Sequence, residues 1–221
     1  MYGYPGWSQS DFDDVFSSDR LGTYLTARGG NKNDALALYA WNIAISNAMF
    51  AVICGVEIAL RNACHRELSA YLSLTWYDTA SFLSLDVGFA KEISKVKSRI
   101  RADGKSVTPG RVVAGLTFGF WANLFGKRYR NSLWVNALNN AVRHYPPPQK
   151  RTDINAKLKK INRLRNRIAH HEPIFSRSLK DDFELLKEVA GWLSPFLPPW
   201  LQYHNRCENL LLELPLPHQK F

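Results

Sequence analysis

A long apolar segment in the N-terminal half most constrains how this chain can fold. Its core, residues 43–60, is the longest apolar stretch of the sequence, but Ser46, Asn47 and Glu57 interrupt it. Polar residues at such intervals are more typical of a helix buried inside a protein than of a membrane span. We therefore expect a central buried helix and no association with a membrane.

The periodicity of this helix extends beyond the apolar core. Apolar residues recur at three- and four-residue steps, and Asn33 with Asp34 can cap the first turn. The sequence contains no long alternating β-branched runs with hairpin turns, so the predicted fold class is all-α. The predicted stripe consists of Leu38, Ile45, Met49, Ile53, Val56 and Leu60.

Capping residues and helix breakers predict further helices. Ser18 and Asp19 can cap a short helix that ends at Gly29 and Gly30. Thr108 offers an N-cap before a proline at the first helical position. Three longer helices are predicted over residues 86–101, 151–169 and 178–193.

The predicted organisation is one helical domain between two less regular ends. With 221 residues and 46% hydrophobic content, the chain can bury one sizeable core. We assign residues 1–17 to an N-terminal segment, residues 18–194 to the helical domain with short extra helices, and residues 195–221 to a Pro-rich tail. The prolines at the start of the tail are expected to end the regular packing.

The basic residues are concentrated in the middle of the chain. Residues 91–180 contain 21 of the 29 Lys and Arg residues but 4 of the 19 Asp and Glu residues. This charge favours a surface that faces a polyanion, and a nucleic acid before a membrane, because no lipidation signal or basic amphipathic terminus accompanies it. A solvated helix face would have the same composition, so charge alone leaves both interpretations open.

The cysteines and the N-terminus indicate the cellular compartment. Cys54, Cys64 and Cys207 are odd in number and have no CxxC or Cys/His spacing, so neither a disulfide framework nor a metal site is predicted. The first residues lack the basic and apolar regions of a signal peptide. We expect a cytoplasmic protein that uses no metal and no cofactor.

The segment RLRNRIAHHEPIF, residues 163–175, is the strongest candidate for chemistry. It ends a predicted helix whose apolar stripe includes Leu164 and Ile168, and at about 100° per residue Arg165 falls inside this stripe. A guanidinium drawn toward a core or an interface needs a partner, because burying an unpaired charge is prohibitive. An internal acid or a bound phosphate could be that partner.

Two histidines follow in the last turn of the same helix, which Pro173 stops. The carbonyl end of a helix favours imidazolium, and histidine is the side chain suited to proton exchange near neutrality. An Arg for phosphate charge and a His for proton transfer are the minimal set for metal-free RNA cleavage, in which the 2′-hydroxyl attacks the adjacent phosphorus. A helix C-cap beside surface arginines is the alternative interpretation.

Helix geometry limits this chemistry. Arg165 and His170 are five residues apart, which places them roughly 140° apart around an ideal helix. Either the helix loosens near Ile168, or two chains bring their motifs together across a two-fold axis.

The spacing of Arg165, Asn166 and His170 resembles the Arg-x(4-6)-His motif of HEPN-domain ribonucleases. Longer segments resemble, in the same order, characteristic blocks of the Abi-like (abortive infection) family of bacterial HEPN proteins. These segments are ALALYAWNIAISNAMFAVICGVEIALRNACHREL (35–68), LTFGFWANLF (116–125) and LRNRIAHHEPIF (164–175).

The resemblance implies a compact HEPN-like helical bundle, usually a homodimer in which the two motifs face each other. It implies a metal-independent endoribonuclease held inactive until needed, with RNA as substrate and a role in phage defence or as a toxin with an antitoxin or an inhibitory RNA or protein. Arg165 would stabilise the pentavalent phosphate, His170 would act as general acid or base, and Asn166 would orient a substrate or loop. His171 could replace His170, since the motif's spacing admits both.

The segment EIALRNACH contains residues expected to support this site. Glu57, Arg61 and His65 follow each other at four-residue steps on one helical face, where a Glu–Arg pair is favourable. The alternative is an ordinary salt bridge. Because this segment belongs to a block of the resemblance, we predict that Glu57 and Arg61 support the site and that Glu57 holds an arginine of the motif helix.

Basic residues near the aromatic segment are candidates for RNA contacts. Lys127, Arg128 and Arg130 directly follow it and are predicted to contact the RNA backbone. Phe118 and Trp121 could stack on bases, but a packed core is favoured. On the motif helix, the predicted RNA-binding residues are Lys160, Arg163 and Arg167.

Three functions are compatible with these patterns. The favoured one is an Abi-like HEPN endoribonuclease, because a pure binding protein has no need of a titratable residue at the motif's spacing. The second is a non-catalytic HEPN-like module that binds RNA or a protein. A helical DNA-binding regulator is disfavoured because the sequence has no compact helix-turn-helix pattern.

Overall fold

The computed structural model describes residues 9–213 and 215, and this part of the chain is helical and contains no strand. The helices form a single domain, and the predicted all-α class is confirmed. The α-helices are α1 (Gln9–Phe16), α2 (Ser18–Ala27), α3 (Lys32–Tyr71), α4 (Ala80–Leu83), α5 (Val87–Ala102), α6 (Pro109–Gly115), α7 (Phe118–Asn123), α8 (Asn139–Ala141), α9 (Arg151–Ala169), α10 (Leu179–Leu193), α11 (Leu197–Tyr203) and α12 (Cys207–Leu212). Two 3₁₀ turns, Trp76–Asp78 and Lys127–Tyr129, and a π-helix, Arg130–Leu138, complete the regular structure of the described residues.

Helix α3 is the centre of the fold, as predicted. Every residue of its predicted apolar stripe is buried, and the helix packs against α2, α9, α10 and α12, among others. By length and composition α3 could also cross a membrane, and it is the one such helix in the described part of the chain. Its packing against several other helices favours the interpretation as the core helix of the domain.

The predicted starts of the first helices are shifted. Asn33 and Asp34 do not cap α3; Asn31 does, and its Oδ1 accepts a hydrogen bond from the backbone N–H of Asp34 at 3.2 Å. Helix α2 is likewise capped by Ser17, one residue before the predicted Ser18. In both cases the cap stands at the position from which its side-chain oxygen reaches the N–H three residues later.

The other predicted helix bounds agree with the structure. Thr108 caps α6, and Pro109 occupies its first turn. Helices α5, α9 and α10 match the predicted segments to within one residue at each end.

The segment after residue 194 differs from the irregular tail that we predicted. The prolines at its start do not end the packing. Pro198 and Pro199 lie in the first turn of α11, where a missing N–H costs no helical hydrogen bond. Helix α11 packs against α10, and α12 packs against α3 and α10. The indole Nε1 of Trp41 in α3 donates to the carbonyl oxygen of Leu210 in α12 at 3.0 Å. Helix α12 therefore contributes to the core through Cys207 and Leu210.

Candidate functional site

The motif helix α9 is a regular α-helix as far as Ala169, and His170 is its C-cap. The helix does not loosen near Ile168, so the predicted distortion that would bring Arg165 to His170 within one chain is wrong. Convergence of two chains across a two-fold axis stays a prediction. The predicted apolar stripe is buried throughout: Ile154, Leu158, Ile161, Leu164 and Ile168.

Arg165 faces α3 close to Glu57 and Cys54. The guanidinium is half-buried, and its Nε is buried without a hydrogen-bond partner. Burial raises the pKa of the Glu57 carboxyl, and the positive charges of Arg165 and Arg61 oppose this rise. Among the described residues no direct ion pair joins Glu57 to either arginine. The structure brings Glu57 near Arg165 without the direct contact that we predicted, while the supporting role of Glu57 stays a prediction.

The same face of α3 continues with Arg61 and His65. The Nε of Arg61 is also buried without a partner. The Nδ1 of His65 accepts a hydrogen bond from the indole Nε1 of Trp76 at 2.9 Å, and burial lowers the pKa of this imidazole. His65 is thus a neutral residue that ties the turn Trp76–Asp78 to α3, whereas Arg61 adds positive charge beside Glu57.

The end of α9 is a Schellman motif with a histidine where glycine is usual. The backbone N–H of Glu172 donates to the carbonyl of Arg167 at 2.8 Å, and that of His171 donates to Ile168 at 2.9 Å. This pairing places His171 in the left-handed region, with φ 56°. The side chains of His170 and His171 are both exposed. Left-handed backbone at a residue other than glycine is strained, and such strain is often found at functional sites.

Three side chains hold the backbone that follows the histidines. Arg20 in α2 donates to the carbonyl of His171 at 2.7 Å, and Arg167 donates to that of Pro173 at 2.7 Å. The Oδ1 of Asn42, in α3, accepts the N–H groups of Ile174 and Phe175 at 2.8 and 3.1 Å. Asn42 is 5% exposed, so it supplies the acceptor that these amides could not obtain from water.

A cleft of about 670 Å³ opens beside His171, between α2, α3 and the end of α9. The cleft could not be predicted from the sequence, because its walls come from segments far apart in the chain. Its one indication in the sequence is the group of polar residues within the apolar stretch of α3, which includes Ser46 and Asn47. Arg165, Asn166 and His170 do not line the cleft. Of the predicted motif residues, His171 alone borders it.

The predicted RNA-binding cations divide into two groups. Lys127, Arg130 and Arg163 are exposed and form no ion pair within the described part of the chain. The other three have carboxylate partners: Arg128 pairs with Asp86 at 3.1 Å, Lys160 with Asp182 at 3.6 Å and Arg167 with Glu172 at 3.5 Å. The second group is therefore less available to a phosphate than the first.

The aromatic segment lies in the core. Phe118 and Trp121 are fully buried, which confirms the favoured interpretation and leaves neither ring open for stacking on a base. The three cysteines are free thiols. Within residues 9–213 and 215, no cluster of His, Cys, Asp and Glu side chains could hold a metal ion.

Comparison with known proteins identifies one family. The model of the family described as "Abi-like protein" matches residues 7–176, which include α3, α7, α9 and the turn that holds both histidines. No curated protein matches, and no solved structure matches. The match extends over more than half of the sequence, and on this ground the chain belongs to the family of Abi-like proteins.

Proposed function

We propose that this Abi-like protein is a metal-independent endoribonuclease of the HEPN type. It would act as an abortive-infection effector in phage defence, or as a toxin. One observation carries the proposal: Arg165 is half-buried on the motif helix with an unpartnered Nε, and two exposed histidines follow at the end of the same helix. A fixed cation and titratable groups are the combination that phosphoryl chemistry needs, provided that they meet at one phosphate.

The proposed reaction is an internal transfer at a phosphodiester. A base removes the proton of the 2′-hydroxyl, the 2′-oxygen attacks the adjacent phosphorus, and the bond to the 5′-oxygen of the next nucleotide breaks. An acid protonates that leaving oxygen, which yields a 2′,3′-cyclic phosphate and a 5′-hydroxyl. Arg165 would stabilise the charge on the pentavalent phosphate, and His170 would transfer the proton, with His171 as its substitute. Asn166, which is exposed one residue after Arg165, would orient the substrate.

The proposal places the reaction between two copies of the chain. Because α9 is regular to Ala169, Arg165 and His170 of one chain stay on different sides of the helix. A two-fold axis near the ends of two such helices would place the Arg of one copy beside the His of the other. We therefore expect a cytoplasmic homodimer, kept inactive by an antitoxin or an inhibitory RNA or protein.

The test is cleavage of total bacterial RNA by the purified protein in excess EDTA. Wild type is compared with Arg165→Ala, His170→Ala and His171→Ala, each shown to be folded and in the same oligomeric state. Arg143→Ala and His144→Ala are matched controls, because both residues are exposed and lie outside the motif. We expect wild type and controls to leave 2′,3′-cyclic phosphate ends and the Arg165 variant to be inactive.

The remaining outcomes separate the alternatives. Loss of activity in one His variant alone would identify the residue that transfers the proton. Equal cleavage by every variant would refute the assignment of the site. If wild type bound RNA without cutting it, the non-catalytic binding module would be the better description.

A further inference from the structure

The cleft beside His171 has the shape of a site for a small molecule. Its volume of about 670 Å³ falls within the range usual for ligand pockets. It is walled by α2, by the first half of α3 and by the last turn of α9. The cleft is distinct from the cluster of Arg165, Glu57 and Arg61, which does not border it.

Aromatic rings line this cleft at two depths. Tyr24 is fully buried at its floor and packs edge to face on Tyr39, with ring centroids 5.0 Å apart. A second contact, with Phe175 at 5.1 Å, holds the Tyr24 ring from another side. Phe50, in contrast, is 37% exposed at the rim. A fixed floor and an exposed ring at the rim are suited to a flat aromatic ligand.

Several polar groups of the cleft are free to donate a hydrogen bond to a ligand. The hydroxyl of Tyr24 is buried and has no hydrogen-bond partner. Burial raises the pKa of this phenol to about 12, so the group keeps its proton at neutral pH. An unpartnered buried hydroxyl is costly, and an acceptor atom on a bound ligand would remove this cost.

Arg20 and Asn42 add further donors. The oxygen of the Asn42 amide already accepts two backbone hydrogen bonds, so the Nδ2 hydrogens remain for a ligand. The Arg20 guanidinium donates one bond to the carbonyl of His171 and forms no ion pair with a described carboxylate. The one acid on the rim, Glu172, lies 3.5 Å from Arg167. The complementary ligand is therefore flat, rich in acceptors and negatively charged.

We infer that the cleft binds one nucleotide of a single-stranded RNA. The base lies between Tyr24 at the floor and Phe50 at the rim, and the adjacent phosphate lies near Arg20 and His171. Because a base carries acceptor atoms on its edge and a phosphate carries the charge, this ligand satisfies all the donors named above. The inference rests on the proposed ribonuclease function and gives it a selectivity: the base in the cleft would determine where the RNA is cut.

The experiment measures binding separately from cleavage. Fluorescence anisotropy follows the binding of labelled 2′-O-methyl hexanucleotides of A, of C and of U, in which the attacking hydroxyl is blocked. The test variants are Tyr24→Phe, which removes the hydroxyl alone, and Phe50→Ala. Their matched controls are Tyr77→Phe, a buried tyrosine outside the cleft, and Phe196→Ala, an exposed phenylalanine elsewhere.

We expect the wild type to bind at least one hexanucleotide more tightly than the others. Phe50→Ala should weaken this binding by about fivefold or more, since loss of one stacking ring has at least this effect. Tyr24→Phe should weaken it by about fivefold and change the order of base preference, while the free protein resists urea at least as well as wild type. The controls should bind like wild type.

Three results would overturn the inference. In the first, the wild type binds no hexanucleotide. In the second, neither cleft variant alters the binding. In the third, the cleft variants change the sedimentation of the protein and not its RNA affinity, which would make the cleft a protein interface. Failure of the proposed function gives a different pattern. In that case the hexanucleotides still bind through Tyr24 and Phe50, but unmodified RNA is not cut.

Discussion

Replacement of His171 by glycine should stabilise the protein while it removes a candidate catalytic residue. His171 has φ 56°, and the two Schellman hydrogen bonds at the end of α9 hold it there. For a residue with a Cβ this conformation costs about 1–2 kcal/mol, which glycine would avoid. The greater entropy of glycine in the unfolded chain offsets about 0.5–1 kcal/mol of this stabilisation. The exposed imidazole makes no hydrogen bond to another described residue that would be lost. We therefore expect a net increase of about 0.5–1 kcal/mol in the free energy of unfolding.

The assay is urea unfolding at neutral pH, with His170→Gly as the internal control. His170 has φ −93°, so glycine relieves no strain there and should destabilise by about 0.5–1 kcal/mol. Opposite signs at two adjacent histidines would show that the backbone at residue 171 is strained. Destabilisation of similar size at both positions would refute this reasoning. A variant that is more stable but inactive would show that the strain is retained for function.

Three further predictions concern buried polar groups. Asn42→Ala should lower the free energy of unfolding by about 2–3 kcal/mol, because a buried and a half-buried N–H group lose their acceptor. Urea unfolding should show a smaller loss for Asn42→Asp, which keeps an acceptor, and equal losses would contradict this explanation. The folded state raises the pKa of Glu57, so its contribution to stability is present below the unfolded pKa and is lost as pH rises through the folded pKa. Between about pH 4 and pH 7, Glu57→Gln should therefore lose less stability in urea than wild type, and identical pH profiles would count against a raised pKa of this half-buried carboxyl. Arg177→Ala should lower the free energy of unfolding by about 3 kcal/mol. It leaves the Asp182 carboxylate, which is 2% exposed, without its two hydrogen bonds of 2.8 and 3.0 Å. A loss no larger than that of the surface variant Arg143→Ala would disprove this.

The fold could be predicted from the sequence where local signals agree. In α9 the apolar stripe and the following proline determined both ends, and in α6 a threonine cap preceded a first-turn proline. The prediction was wrong after residue 194, because prolines that can begin a helix were taken as the end of packing. The π-helix Arg130–Leu138 was not predicted either, since no capping residue and no apolar periodicity indicates it.

The site shows the same division between local and long-range information. The position of Arg165 within the apolar stripe followed from helix geometry, and its half-burial agrees with it. The contacts of Asn42 with Ile174 and Phe175 join residues more than 130 positions apart, which no local pattern reveals. The pairing of Lys160 with Asp182 is likewise tertiary, so a lysine with an internal carboxylate partner was counted among the RNA contacts.

Helices α10, α11 and α12 lie beyond the family match, yet they belong to the same folded domain. The match ends at residue 176, yet α10 places Phe183 and Leu186 in the core and α12 accepts the indole hydrogen bond of Trp41. The segment that the family model matches is therefore shorter than the segment that folds as one domain. A relative with a different C-terminal region would need another cover for the same side of α3, because an apolar face left open would favour association with other proteins.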